Sequence, residues 1–112
     1  MGINNLFISD NAKTALTAIQ KRLIAEFDVV EIIVFGNGVK KAAPDGQDPD
    51  LLIITKKQVS LDQKQSMNDL ANSVNDSFNT NFKLMIFDKD TWENWSGESL
   101  YQEVSRDGVA IW

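Results

Sequence analysis

The feature that most narrows the fold is a pair of short, dense apolar runs on either side of a glycine-rich loop. Residues 29–35 read Val-Val-Glu-Ile-Ile-Val-Phe, residues 51–54 read Leu-Leu-Ile-Ile, and loop 36–47 lies between them. Both runs have the length and the β-branched content of strands. They fall far short of the roughly 18 or more apolar residues that span a membrane. Near-continuous apolar strands, as opposed to alternating ones, imply a sheet covered on both faces. With 112 residues there is room for one domain of that kind, spanning 1–112.

The rest of the chain supplies the covering helices. Ser9 or Asp10 can cap a helix running to about Phe27, with Ala12, Ala15, Leu16, Ile19, Leu23 and Phe27 on one face. Ser60 and Gln63 form a capping box for a second helix, whose apolar stripe is Met67, Leu70, Ala71, Val74 and Phe78. Residues 48–56 make the second strand and residues 82–87 a third. Asp90 and Thr91 look like the cap of a short helical turn. A last helix is expected over 98–106, stopping at Asp107-Gly108 with the glycine in the left-handed conformation. Residues 109–112 add a short final strand. The fold class is therefore α/β (α+β): a small mixed sheet flanked by helices, in the order α-β-β-α-β-α-α-β.

Charge and missing residue types exclude several functions. Acidic residues outnumber basic ones by 16 to 11, a net charge of −5, so no direct nucleic-acid binding is expected. Neither cysteine nor histidine is present. Disulfides, thiolate zinc sites and Ser-His-Asp chemistry are thereby removed. The N-terminus has neither a secretory pattern nor a myristoylation pattern, and a cytoplasmic location without membrane attachment is expected. Trp92, Trp95, Tyr101 and Trp112 are expected to serve mainly in packing. Any catalysis must use carboxylates, lysines, hydroxyls, backbone amides and hard metal ions.

Those groups gather around the loop. Gly36-Asn37-Gly38 leaves the first strand directly, and Asp48-Pro49-Asp50 opens the second. Residues two apart on an extended chain project from one face, so Asp48 and Asp50 can point at one spot. Adjacent carboxylates repel unless a cation sits between them, and oxygen ligands of this kind suit Mg²⁺ together with substrate phosphates. The glycines let backbone amides approach a polyphosphate, and Lys40 and Lys41 add positive charge. A P-loop, a dinucleotide fingerprint and a calcium loop all fail on spacing.

From Phe35 to Ile54, the succession of strand, Gly36-Asn37, ten residues, Asp48-x-Asp50 and strand resembles the signature of the minimal nucleotidyltransferases, small members of the DNA polymerase β-like superfamily. The resemblance extends over most of the chain, including Ser99-Leu100-Tyr101-Gln102-Glu103-Val104 and Asp107-Gly108-Val109. It implies the polymerase β-like nucleotidyltransferase fold. It also implies transfer of a nucleoside monophosphate from a nucleoside triphosphate, ATP being the expected donor, to a hydroxyl on a protein or small molecule. In that reading Asp48 and Asp50 are catalytic and hold Mg²⁺, while Gly36, Asn37, Lys40 and Lys41 bind phosphate. Members of the family often pair with small helical HEPN-type proteins as toxin–antitoxin modules, so a HEPN-like partner or self-association is expected.

Three positions depart from the pattern. Asn37 replaces the family serine, and Gly38-Val39-Lys40-Lys41 replaces an arginine-rich stretch. The third-strand position that the family keeps acidic, to complete the metal site and accept a proton, is Lys83. Asp88, five residues on, falls on the opposite strand face by simple alternation. Two functions stay open at this level: an active Mg²⁺-dependent nucleotidyltransferase, or a degenerate relative that keeps the fold and a binding role and acts as an antitoxin-type partner.

Overall fold

In a computed structural model that describes residues 2–39, 41 and 47–112, the two apolar runs are the middle of a four-stranded sheet. After a 3₁₀ turn at Ile3–Asn5 come α1 (Asp10–Glu26), β1 (Val29–Phe35), β2 (Asp50–Thr55), α2 (Leu61–Phe78), β3 (Lys83–Asp88), α3 (Lys89–Asn94), α4 (Ser99–Asp107) and β4 (Val109–Ala110). The strand order is β3-β2-β1-β4. β1 is antiparallel to both β2 and β4, and β2 and β3 are parallel. This is a mixed α+β fold with helices flanking one mixed sheet.

Both faces of β2 are buried from Leu51 to Thr55, and β1 is buried at Ile32, Val34 and Phe35 but exposed at Val30. Leu16, Ile19 and Leu23 of α1 and Met67, Leu70 and Val74 of α2 pack on Ile32, Val34, Leu51 and Ile53. On the opposite face Trp92 of α3 and Val104 of α4 close over Phe35, Leu52 and Ile54. The odd and even residues of β2 thus serve two separate clusters, which is why the run shows no polar alternation.

Helix ends follow the side chains available. The Ser9 hydroxyl accepts the Ala12 N–H, and Ser60 and Gln63 complete their capping box. α3 corrects the sequence expectation, because its cap is Asp88 rather than Asp90. The Asp88 carboxylate accepts both the N–H (3.0 Å) and the hydroxyl (2.6 Å) of Thr91. α4 corrects another: Gly108 is extended (φ −72°, ψ 153°), not left-handed. What the position requires is the absence of a side chain. A Cβ there would stand 2.5 Å from the Val104 carbonyl oxygen and 2.6 Å from Ile33 Cγ2.

Trp92 is buried at the centre of an aromatic group with Phe87 and Tyr101. Trp95, 38% exposed, joins the group edge-on at Phe87 with ring centroids 4.9 Å apart, whereas Trp112 lies outside it and is 52% exposed. Among the described residues no helix is long and apolar enough to cross a membrane.

Candidate functional site

The site forms where β1 ends and the two parallel strands begin. Phe35, the last residue of β1, pairs with Asp50, the first of β2. The chain leaves β1 through Gly36 and Gly38, both at positive φ (90° and 79°), a conformation that favours glycine. The Gly36 α-carbon lies against Asp50: a Cβ at that position would be 3.9 Å from both the Asp50 N and Oδ2. Gly36 and Asn37 are exposed, so their backbone and side-chain amides are open to a ligand, and Lys41 is exposed as well. Lys40 lies outside the described residues.

Asp48 and Asp50 are both half-buried. Asp48 Oδ2 accepts the backbone N–H of Asn81 at 2.7 Å, which ties the segment before β2 to the segment before β3. That donor is positioned in turn by Asn75, which sequence reasoning missed. Asn75 is buried in α2. Its Nδ2 donates to the Phe82 carbonyl (2.8 Å), and its Oδ1 accepts from Phe82 N–H (3.0 Å) and the Thr80 hydroxyl (2.8 Å). The turn into β3 is therefore clamped on both sides of Asn81. The signal was present, because Asn75 is four residues beyond Ala71 and thus a polar residue on the apolar stripe of α2.

The register of β2 and β3 places Lys83 opposite Asp50. Residues 50, 52 and 54 share a sheet face with residues 83, 85 and 87, so the ammonium-bearing chain and the carboxylate start from the same face about 4.8 Å apart across the ladder. Among the described residues Lys83 and Asp50 make no ion pair with one another, and no three His, Cys, Asp or Glu side chains converge to hold a metal ion. Asp88 pairs with Thr55 at the far end of the same ladder, some 17 Å away at strand rise, and is engaged as the α3 cap. It does not join the site.

The donor set fits one Mg²⁺ shared with phosphate oxygens, an ion that typically takes one or two protein carboxylates and keeps waters or substrate oxygens for the rest. Among the described residues no third carboxylate joins Asp48 and Asp50, and the β3 position opposite Asp50 is Lys83.

No family model matches the chain, and no curated protein matches it in sequence. Among solved structures it is similar to a chain from the crystal structure of the toxin–antitoxin pair MntA–HpeT, in a variant with two aspartate-to-glutamate substitutions. The TM-score is 0.58 at 10% identity, covering 93% of this chain and 73% of that one. At that identity the likeness is one of fold.

Proposed function

We propose that this chain is a nucleotidyltransferase-like domain that binds a nucleoside triphosphate by its phosphates and acts with a protein partner in the manner of an antitoxin, nucleotidyl transfer itself being suppressed by Lys83. The observation that carries this reading is the β2/β3 register that sets Lys83 opposite Asp50. Two-metal in-line transfer uses carboxylates on both ions to stabilise the attacking and leaving oxygens. An ammonium in that corner repels a second cation and cannot ligate it. It can hold a phosphate oxygen as a point charge.

In this arrangement Asp48 and Asp50 would hold Mg²⁺, which would supply neutralisation of triphosphate charge. Gly36 and Asn37 amides and the Lys41 ammonium receive the terminal phosphates, and Asn81 keeps the Asp48 carboxylate oriented. A toxin–antitoxin partnership is supported by the fold neighbour's own assembly and by the small helical HEPN-like partner that the resemblance implies.

The test compares melting temperature and labelled-AMP transfer for wild type, the double variant Asp48→Asn/Asp50→Asn, and Lys83→Asp. Mg²⁺-ATP at a hundredfold over Kd should stabilise wild type by about 2.7 kcal/mol through mass action, and the double variant should lose the gain. Wild type should transfer AMP very slowly or not at all, while Lys83→Asp should raise Mg²⁺ affinity. Robust wild-type transfer that disappears in Asp48→Asn would refute the suppressed-transfer reading. Identical melting of wild type and double variant with and without ligand would refute the binding site.

A further inference from the structure

The segment that precedes α1 is fastened to the loop that leaves β1. Phe7 N–H donates to the Gly38 carbonyl at 2.7 Å, and the Gly38 α-carbon lies against Ile8 and the Phe7 backbone. Leu6 is buried, Ile8 packs on the core and Ser9 caps α1, so the Phe7 main chain is held from both sides. Its ring is nevertheless 55% exposed. Gly38 is two residues from Gly36, hence within about 7.6 Å of it by chain length, and Gly36 stands against Asp50. An exposed phenyl ring is therefore carried by a segment whose backbone is bonded to the glycine loop bordering Asp50.

Singly exposed apolar residues are ordinary, and Leu61, Val30, Trp95 and Trp112 are also exposed here. Phe7 differs in that its backbone is bonded directly to the glycine loop. We infer that Phe7 is the base-stacking residue for a nucleoside triphosphate whose phosphates lie at Gly36, Asn37, Asp48 and Asp50. The inference rests on the reading of that end of the sheet as a triphosphate site. Stacking on an aromatic ring accepts any base, because every base presents a π-face. Phe7 thus selects nucleotides over bare polyphosphate without choosing strongly among bases.

The experiment is calorimetric titration of the full chain with Mg²⁺-ATP and with Mg²⁺-tripolyphosphate, for wild type, Phe7→Ala and Phe7→Trp. Phe7→Ala should weaken ATP binding roughly tenfold and leave tripolyphosphate binding unchanged. Phe7→Trp should restore ATP affinity. Unchanged ATP affinity in Phe7→Ala overturns the stacking role, and so does an equal loss for both probes, which would report a disturbed loop. Wild type binding neither probe overturns the triphosphate site itself, an outcome separate from the other two.

Discussion

The Asn75 side-chain amide makes three of its four possible hydrogen bonds, to Thr80 and to both backbone groups of Phe82. Phe82 is itself almost fully buried, so those backbone groups have little access to water. Asn75→Ala would strand a buried N–H and a buried carbonyl, a loss of about 3 kcal/mol on the scale of unsatisfied buried groups. The effect should not stop at stability. With the turn released, Asn81 no longer holds the Asp48 carboxylate, and Mg²⁺-ATP binding should weaken even at temperatures where the variant is fully folded. Urea denaturation together with titration of the folded variant checks both parts. An affinity equal to wild type would show that the clamp serves the fold alone.

At the scale of elements, Asp88 shows how one carboxylate can be withdrawn from one role by another. The Thr91 hydroxyl first, and then its backbone N–H, hold the Asp88 carboxyl below its ordinary value of 3.8. A carboxyl lowered on folding contributes stability above the unfolded-state value and loses it as pH falls through the lower folded-state value. The stability gap between wild type and Asp88→Ala should therefore be constant from pH 7 to pH 5 and close progressively below about 3.8. Denaturant melts across that range check it, and a gap independent of pH would mean that helix geometry, not the charged cap, carries the contribution. The sequence placed this cap two residues late because Asp90-Thr91 and Asp88-x-x-Thr91 both look like helix starts. Only the end of β3 decides between them. By contrast Ser60 and Gln63 were legible outright, since a capping box is a local bond between residues three apart.

Across the whole molecule, the two-sided sheet could be read from composition because burial on both faces removes polar alternation from β1 and β2. Strand order could not, since it depends on contacts between distant segments. The placement of the glycine loop at the exit of β1 and of Asp50 at the entry of β2 was legible from spacing, whereas the Asn75 clamp and the docking of Phe7 on Gly38 join residues far apart in the chain. Gly108 is a similar case: its sequence suggested a left-handed stop, yet its constraint comes from Ile33 on a strand 75 positions earlier and from Val104 one turn back. Gly108→Ala should cost about 1–3 kcal/mol, the range for overpacking, because a carbonyl oxygen cannot step aside. Gly97→Ala, with nothing within 4 Å of its Cβ position, should lie within about 0.5 kcal/mol of wild type. Thermal melts of the pair check this, and equal melting temperatures would contradict it.

The parallel pairing of β2 and β3 also bears on the order in which a growing chain acquires its properties. Asp48 and Asp50 leave the ribosome early, but the amide that orients one and the lysine that faces the other lie 33 residues later. A half-synthesised chain carries the carboxylates without their setting. On the proposed function, binding competence would arrive only once α2 has crossed the sheet and β3 has joined its edge, so this end of the protein would distinguish a finished sheet from an unfinished one.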